Sequence, residues 1–408
     1  MKHPMTRTLT AAATGAVVLL AGAAGAHAAD AGPSAGLPER EQPVLIGHRG
    51  AAGTAPENTV AAFKDGRASG ADFFEIDVQL SADGVPFLFH DNTPARTTNA
   101  AEVFPGREDD PITSFTWDEL QQLDVGSYFS AKYAGERIPH LDDAARIATT
   151  QTGVYIEIKS PQNSPGVEAV VADALHGDPG WKKLVAAGKV EVLGFDAASN
   201  ARFAELAPEI PLQQLAGTVP GEAELERLAG FVDSVGTNYR TLDQAAVDRV
   251  QAAGLEVGVY TVNAVDEMER ALALGVERIT GDFPIQLERY LDGRDPFPGG
   301  RGVSIQGAVN DAPGSDTQDQ HGEHVVIVNE GAAPVDVSGY YLRDAANNVL
   351  SIGEGYVLEP GETLRVYSAS GTDADDAYYN HGGAVLNNGG DSLGLWSAEG
   401  RLLDTFGN

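Results

Sequence analysis

The sequence predicts an α/β fold, a (β/α)8 barrel with a small insertion, followed by a separate all-β sandwich of immunoglobulin-like type. Three observations predict it. The 408 residues suffice for more than one domain. From about residue 43 to 290, short β-branched apolar runs alternate with helical stretches. Beyond a Pro/Gly-rich linker at 291–302 the helical rhythm stops, and 303–408 holds only short strands between turn residues.

Composition narrows the function classes. The chain has no cysteine, which excludes disulfides, thiolate metal sites, a cysteine nucleophile and a lipoprotein anchor. The formal net charge of -32 repels nucleic acid and anionic lipid surfaces at long range, so no nucleic-acid partner is expected. Such acidity reads first as solubility outside the cell. Residues 1–28 read as a signal peptide: Lys2 and Arg7, a small apolar run from Ala11 to Ala24, then Ala26-His27-Ala28 as a cleavage site. That run is too short for a membrane anchor, and no later segment is long and apolar enough to span a bilayer. The expectation is a secreted chain starting near Ala29, with no transmembrane anchor.

In order along the chain, Val44-Leu45-Ile46 is the first strand and stops at Gly47. A helix follows, with Asn58 as its N-cap and Val60, Phe63 and Ala68 on one face. Phe73 to Leu80 is a strand, Ser81-Ala82-Asp83-Gly84 a turn, and Val85 to His90 another strand. Nine strand candidates stand for the eight places of a barrel, and the short turn, which leaves no room for a helix, is one source of the surplus: a hairpin pivoting there would set Asp77 and His90 roughly opposite each other, and either topology leaves both near one site. Residues 92–135 are irregular and read as an insertion over the barrel mouth, with Thr116-Trp117-Asp118-Glu119 as a capping box. The rhythm then resumes: helix from Asp142 to Thr149, strand Val154 to Ile158, helix Val167 to Leu175, strand Val190 to Leu193, weaker strands Leu212 to Leu215 and Ser234 to Asn238, helix Gln244 to Ala253, strand Leu255 to Thr261, helix Glu267 to Leu274, and strand Arg278 to Thr280.

The residues that carry chemistry stand at strand ends. Glu75 and Asp77 are two apart on one strand, so both point to one face. Neighbouring carboxylates on an apolar strand are costly unless a cation sits between them. Glu157 repeats the situation, and the three could hold one hard divalent cation. Each alone reads as a structural salt bridge; the set, all at strand ends, reads as a metal site. His48 and His90 each end a strand near these carboxylates and suit acid and base roles. Arg49 offers a planar fork for a phosphate, with Glu57 as its competing structural partner. Lys159, two residues beyond Glu157, adds a second positive contact or simply pairs with Glu157. Gly50 and Gly53 would let backbone approach a ligand. Phe195, Asn263 and Asp282 also follow strands on the active face, where ordinary turn chemistry competes. His140, His176, His324 and His381 read as structural or surface residues.

These pieces, His48-Arg49-Gly50, Pro56-Glu57-Asn58-Thr59, Glu75-Ile76-Asp77-Val78, Asp83-Gly84, His90-Asp91, Glu157-Ile158-Lys159, Thr261-Val262-Asn263 and Asp282-Phe283-Pro284, occur in the order found in a known family. The chain resembles the glycerophosphodiester phosphodiesterases over about residues 43 to 290. The resemblance implies a TIM barrel, metal ligation by Glu75, Asp77 and Glu157, an acid/base pair of His48 and His90, and phosphate binding by Arg49. It implies cleavage of a glycerophosphodiester to glycerol 3-phosphate and an alcohol through a cyclic phosphate, a route that needs no protein nucleophile. Of calcium and magnesium, calcium is favoured, because the protein is expected outside the cell and the ligands are hard oxygens. Two departures bear on head-group choice: Gly194 precedes Phe195 where the family often has serine, and His140 stands where threonine is common. The C-terminal part is similar to lamin-tail domains, on Val325 to Asn329, Val337-Ser338-Gly339-Tyr340, Leu358-Glu359-Pro360-Gly361 and Asn388-Gly389-Gly390-Asp391. That similarity brings the expectation of a cell-surface ligand.

Three functions compete. The first is a secreted metal-dependent glycerophosphodiesterase. The second is a lysophospholipase D acting on lysophospholipids, favoured if Phe104, Phe115, Trp117, Tyr128 and Phe129 form an apolar lid rather than the insertion's own core. The third is a non-catalytic cell-surface binding protein, against which the intact set of two histidines and three carboxylates argues.

Overall fold

Parallel strands buried on both faces demand a closed sheet with helices outside. The structure, a computed structural model, describes residues 42–300 and 302–408, so the signal-peptide expectation at 1–28 lies outside the described residues. The barrel strands are β1 (Val44–Gly47), β2 (Phe73–Leu80), β3 (Pro86–Leu88), β4 (Gly153–Ile158), β5 (Val190–Gly194), β6 (Leu212–Ala216), β7 (Ser234–Asn238), β8 (Glu256–Tyr260) and β9 (Arg278–Gly281). β1 pairs in parallel with both β9 and β2, which closes eight parallel strands. β3 is the ninth strand and lies antiparallel on β2, with Val78 opposite Leu88. Of the two topologies the short turn left open, the hairpin is the one present, and it brings the chain back beside Asp77, whose carbonyl accepts from the Phe89 N–H at 2.9 Å.

Alternation along the strands divides two environments. Phe74, Ile76, Val78, Val154, Ile156 and Val192 face outward into the shell of helices. The inward residues separate by height. Low in the barrel Arg278 donates to Glu191 Oε2 (2.8 Å) and to Tyr155 Oη (2.9 Å), while Tyr155 Oη donates to Glu191 Oε1 (2.8 Å). This is a satisfied structural ion pair, the role weighed against the metal reading for the carboxylates higher up. Asp77 and Glu157 are paired in register near the C-terminal ends of β2 and β4.

The first helix, Val60–Ser69, is capped by Thr59, whose side chain accepts from the Ala62 N–H, and not by Asn58 as the sequence suggested. Asn58 instead has a left-handed backbone (φ 53°) that turns its amide inward. The Thr116–Glu119 capping box forms as expected. Helices at Pro179–Ala186, Ala197–Leu206, Glu222–Leu228 and Pro284–Leu291 complete the shell. Their apolar faces are short and broken by charge or opened by proline, which hid them from periodicity.

The insertion builds its own core. Phe87, Phe89, Ile112, Phe115, Leu120, Leu123, Val125 and Ile138 form one buried cluster, with Phe104 and Trp117 against it. The C-terminal part contains two four-stranded sheets and a two-stranded ribbon. The first is β10 (Val303–Val309), β11 (His324–Asn329), β16 (Thr363–Tyr367) and β17 (Ala377–Tyr379). The second is β14 (Val349–Ser351), β13 (Tyr341–Asp344), β18 (Ser392–Trp396) and β19 (Leu402–Gly407), and β12 (Val335–Asp336) pairs with β15 (Val357–Leu358). Val325, Ile327, Leu342, Leu364, Val366 and Leu395 lie in one shared core. Among the described residues no helix is long and apolar enough to cross a membrane.

Candidate active site

The predicted site residues converge at the C-terminal end of the barrel. Glu75 and Asp77 come from β2, Glu157 from β4, His48 and Arg49 from the turn after β1, Lys159 from just beyond β4, and His90 from just beyond β3. Glu75, Asp77 and Glu157 are buried, and each offers one oxygen within 4.8 Å of the others. Glu75 Oε1 and Asp77 Oδ1 are buried without a hydrogen-bond partner. Lys159 Nζ lies 2.9 Å from Glu157 Oε1 and 3.4 Å from Asp77 Oδ1. Three carboxylates thus share Lys159 and part of Arg49 as their positive neighbours. Burial, with the charges of Asp77 and Glu157, pushes Glu75 above the usual carboxylate range. Burial and Asp77 push Glu157 up to about 7. Burial also opposes the charge of Asp77, but Lys159, His90 and Arg49 outweigh it and hold that carboxyl low. A buried all-oxygen set with unpartnered lone pairs fits a hard divalent cation. A second group, Glu57, His90 and Asp91, is equally close, but arginines already occupy its carboxylates.

The turn after β1 is built to present Arg49. Its backbone is left-handed (φ 48°), and its N–H donates to Glu75 Oε2 at 2.7 Å. Its guanidinium donates to Glu57 Oε1 at 2.8 Å and has Nε 3.8 Å from Asp77 Oδ2, with no hydrogen bond at Nε. Arg96 holds Glu57 from the other side with two bonds (2.9 and 2.7 Å). Burial opposes the Glu57 charge, but Arg49 and Arg96 prevail and lower that carboxyl to about 2. Asn58 clamps Asp77, donating to Oδ2 at 2.7 Å and accepting from its N–H at 3.0 Å. Gly50 and Gly53 are both tightly packed on their Cα side. A Cβ on Gly50 would sit 2.5 Å from Ala62 backbone, and one on Gly53 2.3 Å from the Phe283 ring. Their smallness serves packing.

Both histidines are anchored the same way. His48 Nδ1 meets Asp282 Oδ1 at 2.6 Å, and His90 Nδ1 meets Asp91 Oδ1 at 2.8 Å. A carboxylate can only accept, so each Nδ1 carries the proton and each Nε2 keeps the ring's lone pair. Asn263 steadies Asp282, donating to Oδ2 (2.6 Å) and accepting from its N–H (2.7 Å). Burial and the Arg49 charge lower His90, with Asp77 and Asp91 opposing them.

Sequence reasoning left several members without a role. Beyond their place in the ordered motifs, Asp282 and Asn263 were noted only as following strands, Glu57 only as a partner for Arg49, Asp91 had no role, and Arg96 was not singled out. Asp91 adjoins His90 and could have been found by that adjacency. Phe195 is half exposed at the mouth, with its ring 6.0 Å from Tyr260 and 6.0 Å from Lys159 Nζ. Tyr128 and Phe129 leave the insertion core, and Glu57 N–H donates to Tyr128 Oη at 3.2 Å.

An eight-stranded barrel with paired carboxylate-held histidines around a buried acidic trio defines a phosphodiester-cleaving class of site. Residues 48–286 match the glycerophosphoryl diester phosphodiesterase family, and residues 298–408 match the lamin tail domain. The chain belongs to the glycerophosphoryl diester phosphodiesterase family and carries a lamin tail domain. A glycerophosphodiester phosphodiesterase of Caldanaerobacter subterraneus is 33% identical over 248 residues, covering 60% of this chain and 96% of its own. One from Bacillus subtilis is 28% identical over 262 residues, covering 61% of this chain and 87% of its own. A solved Oleispira antarctica phosphodiesterase, in complex with the product sn-glycerol-3-phosphate, is similar with a TM-score of 0.54 at 27% identity, covering 62% of this chain and 97% of its own.

Proposed function

We propose that this chain is an exported, metal-assisted glycerophosphodiesterase that releases glycerol 3-phosphate and an alcohol. One observation carries the reading: two histidines, each with Nδ1 engaged by a carboxylate, flank a buried trio of carboxylates beside Arg49. Such a pair can take a proton on one side of a phosphorus and give one on the other. Glu75, Asp77 and Glu157 would hold the divalent cation, calcium in preference to magnesium. Bound there, it would neutralise phosphate charge and acidify a hydroxyl. Arg49 binds a phosphate oxygen, its fork held in place by Glu57, and Lys159 adds a second positive contact. One histidine removes the proton of the substrate's glycerol hydroxyl. That oxygen bonds to phosphorus as the P–O bond to the alcohol breaks, and the other histidine protonates the leaving oxygen. Water then opens the cyclic phosphate with the two roles exchanged.

Glycerophosphocholine and glycerophosphoethanolamine are the substrates to test. The lysophospholipase D reading is weaker, because Phe104, Phe115 and Trp117 belong to the insertion's own core rather than to an apolar lid. The sandwich's cell-surface ligand and the export signal at 1–28 belong to the same proposal. The test is a substrate panel with the chain from Ala29, with calcium, magnesium or a chelator. Metal-dependent release of glycerol 3-phosphate from the water-soluble diesters is expected. Turnover of lysolipids alone would transfer the function to lysophospholipase D, and no turnover of any would favour the binding-protein reading.

A further inference from the structure

The sandwich touches the barrel at the residues that hold the site. Arg343 of β13 donates from Nη2 to the Phe129 carbonyl at 3.2 Å, and its guanidinium lies 4.1 Å above the Phe129 ring. Asn347 donates to the Tyr128 carbonyl at 3.0 Å. Tyr128 Oη in turn accepts from the Glu57 N–H, and Glu57 fixes Arg49. A second path comes from β19. A Cβ on Gly407 would fall 1.7 Å from Glu267 Oε1, so the bare backbone packs directly on that carboxylate. Glu267 accepts from the N–H groups of Asn263 (2.7 Å) and Ala264 (3.1 Å), and Asn263 steadies Asp282 against His48. Arg240 closes the same edge with bonds to the carbonyls of Asp391 (3.2 Å) and Asn408 (3.1 Å).

We infer that the sandwich is a positioning domain for the catalytic centre: Arg343 and Asn347 hold the Tyr128–Phe129 arm that supports Glu57 and, through it, Arg49, and Gly407 backs the carboxylate chain that aims His48. A module that served only for attachment would have no reason to be built around the supports of both. Catalytic groups lose up to about a hundredfold for a 1 Å displacement, so loosened supports are visible in rate constants. The two paths end on different tasks, phosphate binding and proton transfer, and this gives the inference a signature beyond general destabilisation.

The test uses the full exported chain and three variants: Arg343→Ala with Asn347→Ala, Arg343→Lys alone, and Gly407→Ala. Kinetics on glycerophosphocholine are read beside hydrogen exchange of a peptide spanning residues 51–60. The double variant is expected to raise KM about tenfold with kcat within about twofold, and to speed exchange in that peptide. Arg343→Lys, which keeps a cation over Phe129, should restore most of the KM. Gly407→Ala should lower kcat about tenfold with KM nearly unchanged. Unchanged constants and exchange in all three would overturn the inference, as would equal loss of kcat at constant KM in every variant. The kinetic half rests on the glycerophosphodiesterase reading, whereas the exchange half does not. A wild-type chain inactive on every diester would defeat that reading, and exchange at 51–60 would then decide the positioning role by itself.

Discussion

Glu57 sits between Arg49 and Arg96 with its side chain only 10% exposed, and Glu57→Gln removes one charge from that sandwich. The magnitude follows from its carboxyl, lowered from 4.5 to about 2 although burial alone would raise it. That lowering corresponds to about 3 kcal/mol in favour of the folded state once the group is ionised. The sign is that of a depressed acid. The stabilisation is complete above the unfolded value of 4.5 and is lost as pH falls towards 2. At pH 3 less than half of it should remain. In a domain of this size the loss at pH 7 corresponds to roughly 6–12 °C in Tm. Calorimetry of wild type and variant at pH 3, 5 and 7 measures it, and KM for glycerophosphocholine should rise in parallel as the Arg49 fork loosens. A Tm loss that is the same at pH 3 and pH 7, or absent at both, would refute the reasoning.

Three further outcomes are expected. His48→Ala and His90→Ala should each lower kcat by about 10²–10⁴ while leaving the thermal transition near that of wild type, because each removes a proton carrier and no core volume. Chelation should abolish turnover and calcium restore it more fully than magnesium, whereas Glu75→Gln with Glu157→Gln should leave no metal response to restore; rescue by magnesium alone would overturn the choice of ion. Asp404 accepts from the Ile305 N–H, and burial pushes its carboxyl from 3.8 up to about 6. It therefore contributes stability below pH 4 that is lost as pH rises through 6, and Asp404→Asn should raise the denaturant midpoint at pH 8 by up to about 3 kcal/mol in stability, with no gain at pH 4.

Local spacing made part of this legible in advance. Glu75 and Asp77 share a face because strands alternate, and the Asp83-Gly84 turn is too short for a helix, which leaves Asp77 and His90 near one site in either topology, so the trio and the second histidine could be read together. Contacts made only by closing the barrel could not. Asp282 reaches His48 across 234 residues, and only the β1–β9 pairing puts them side by side. Asn58 looked like a helix cap because asparagine commonly caps; its left-handed backbone hands that task to Thr59 and frees the amide for Asp77. The supports at Arg343, Asn347 and Gly407 carry no local signal, since their meaning lies in which surface they meet.

The most direct test of the central claim is a phosphorus NMR time course of the full chain with glycerophosphocholine and calcium, beside His48→Ala. Glycerol 3-phosphate should accumulate with the wild type, preceded by a transient cyclic phosphate, and should be lost in the variant. Phosphocholine as the phosphorus product, or glycerol 3-phosphate formed equally by His48→Ala, would contradict the account.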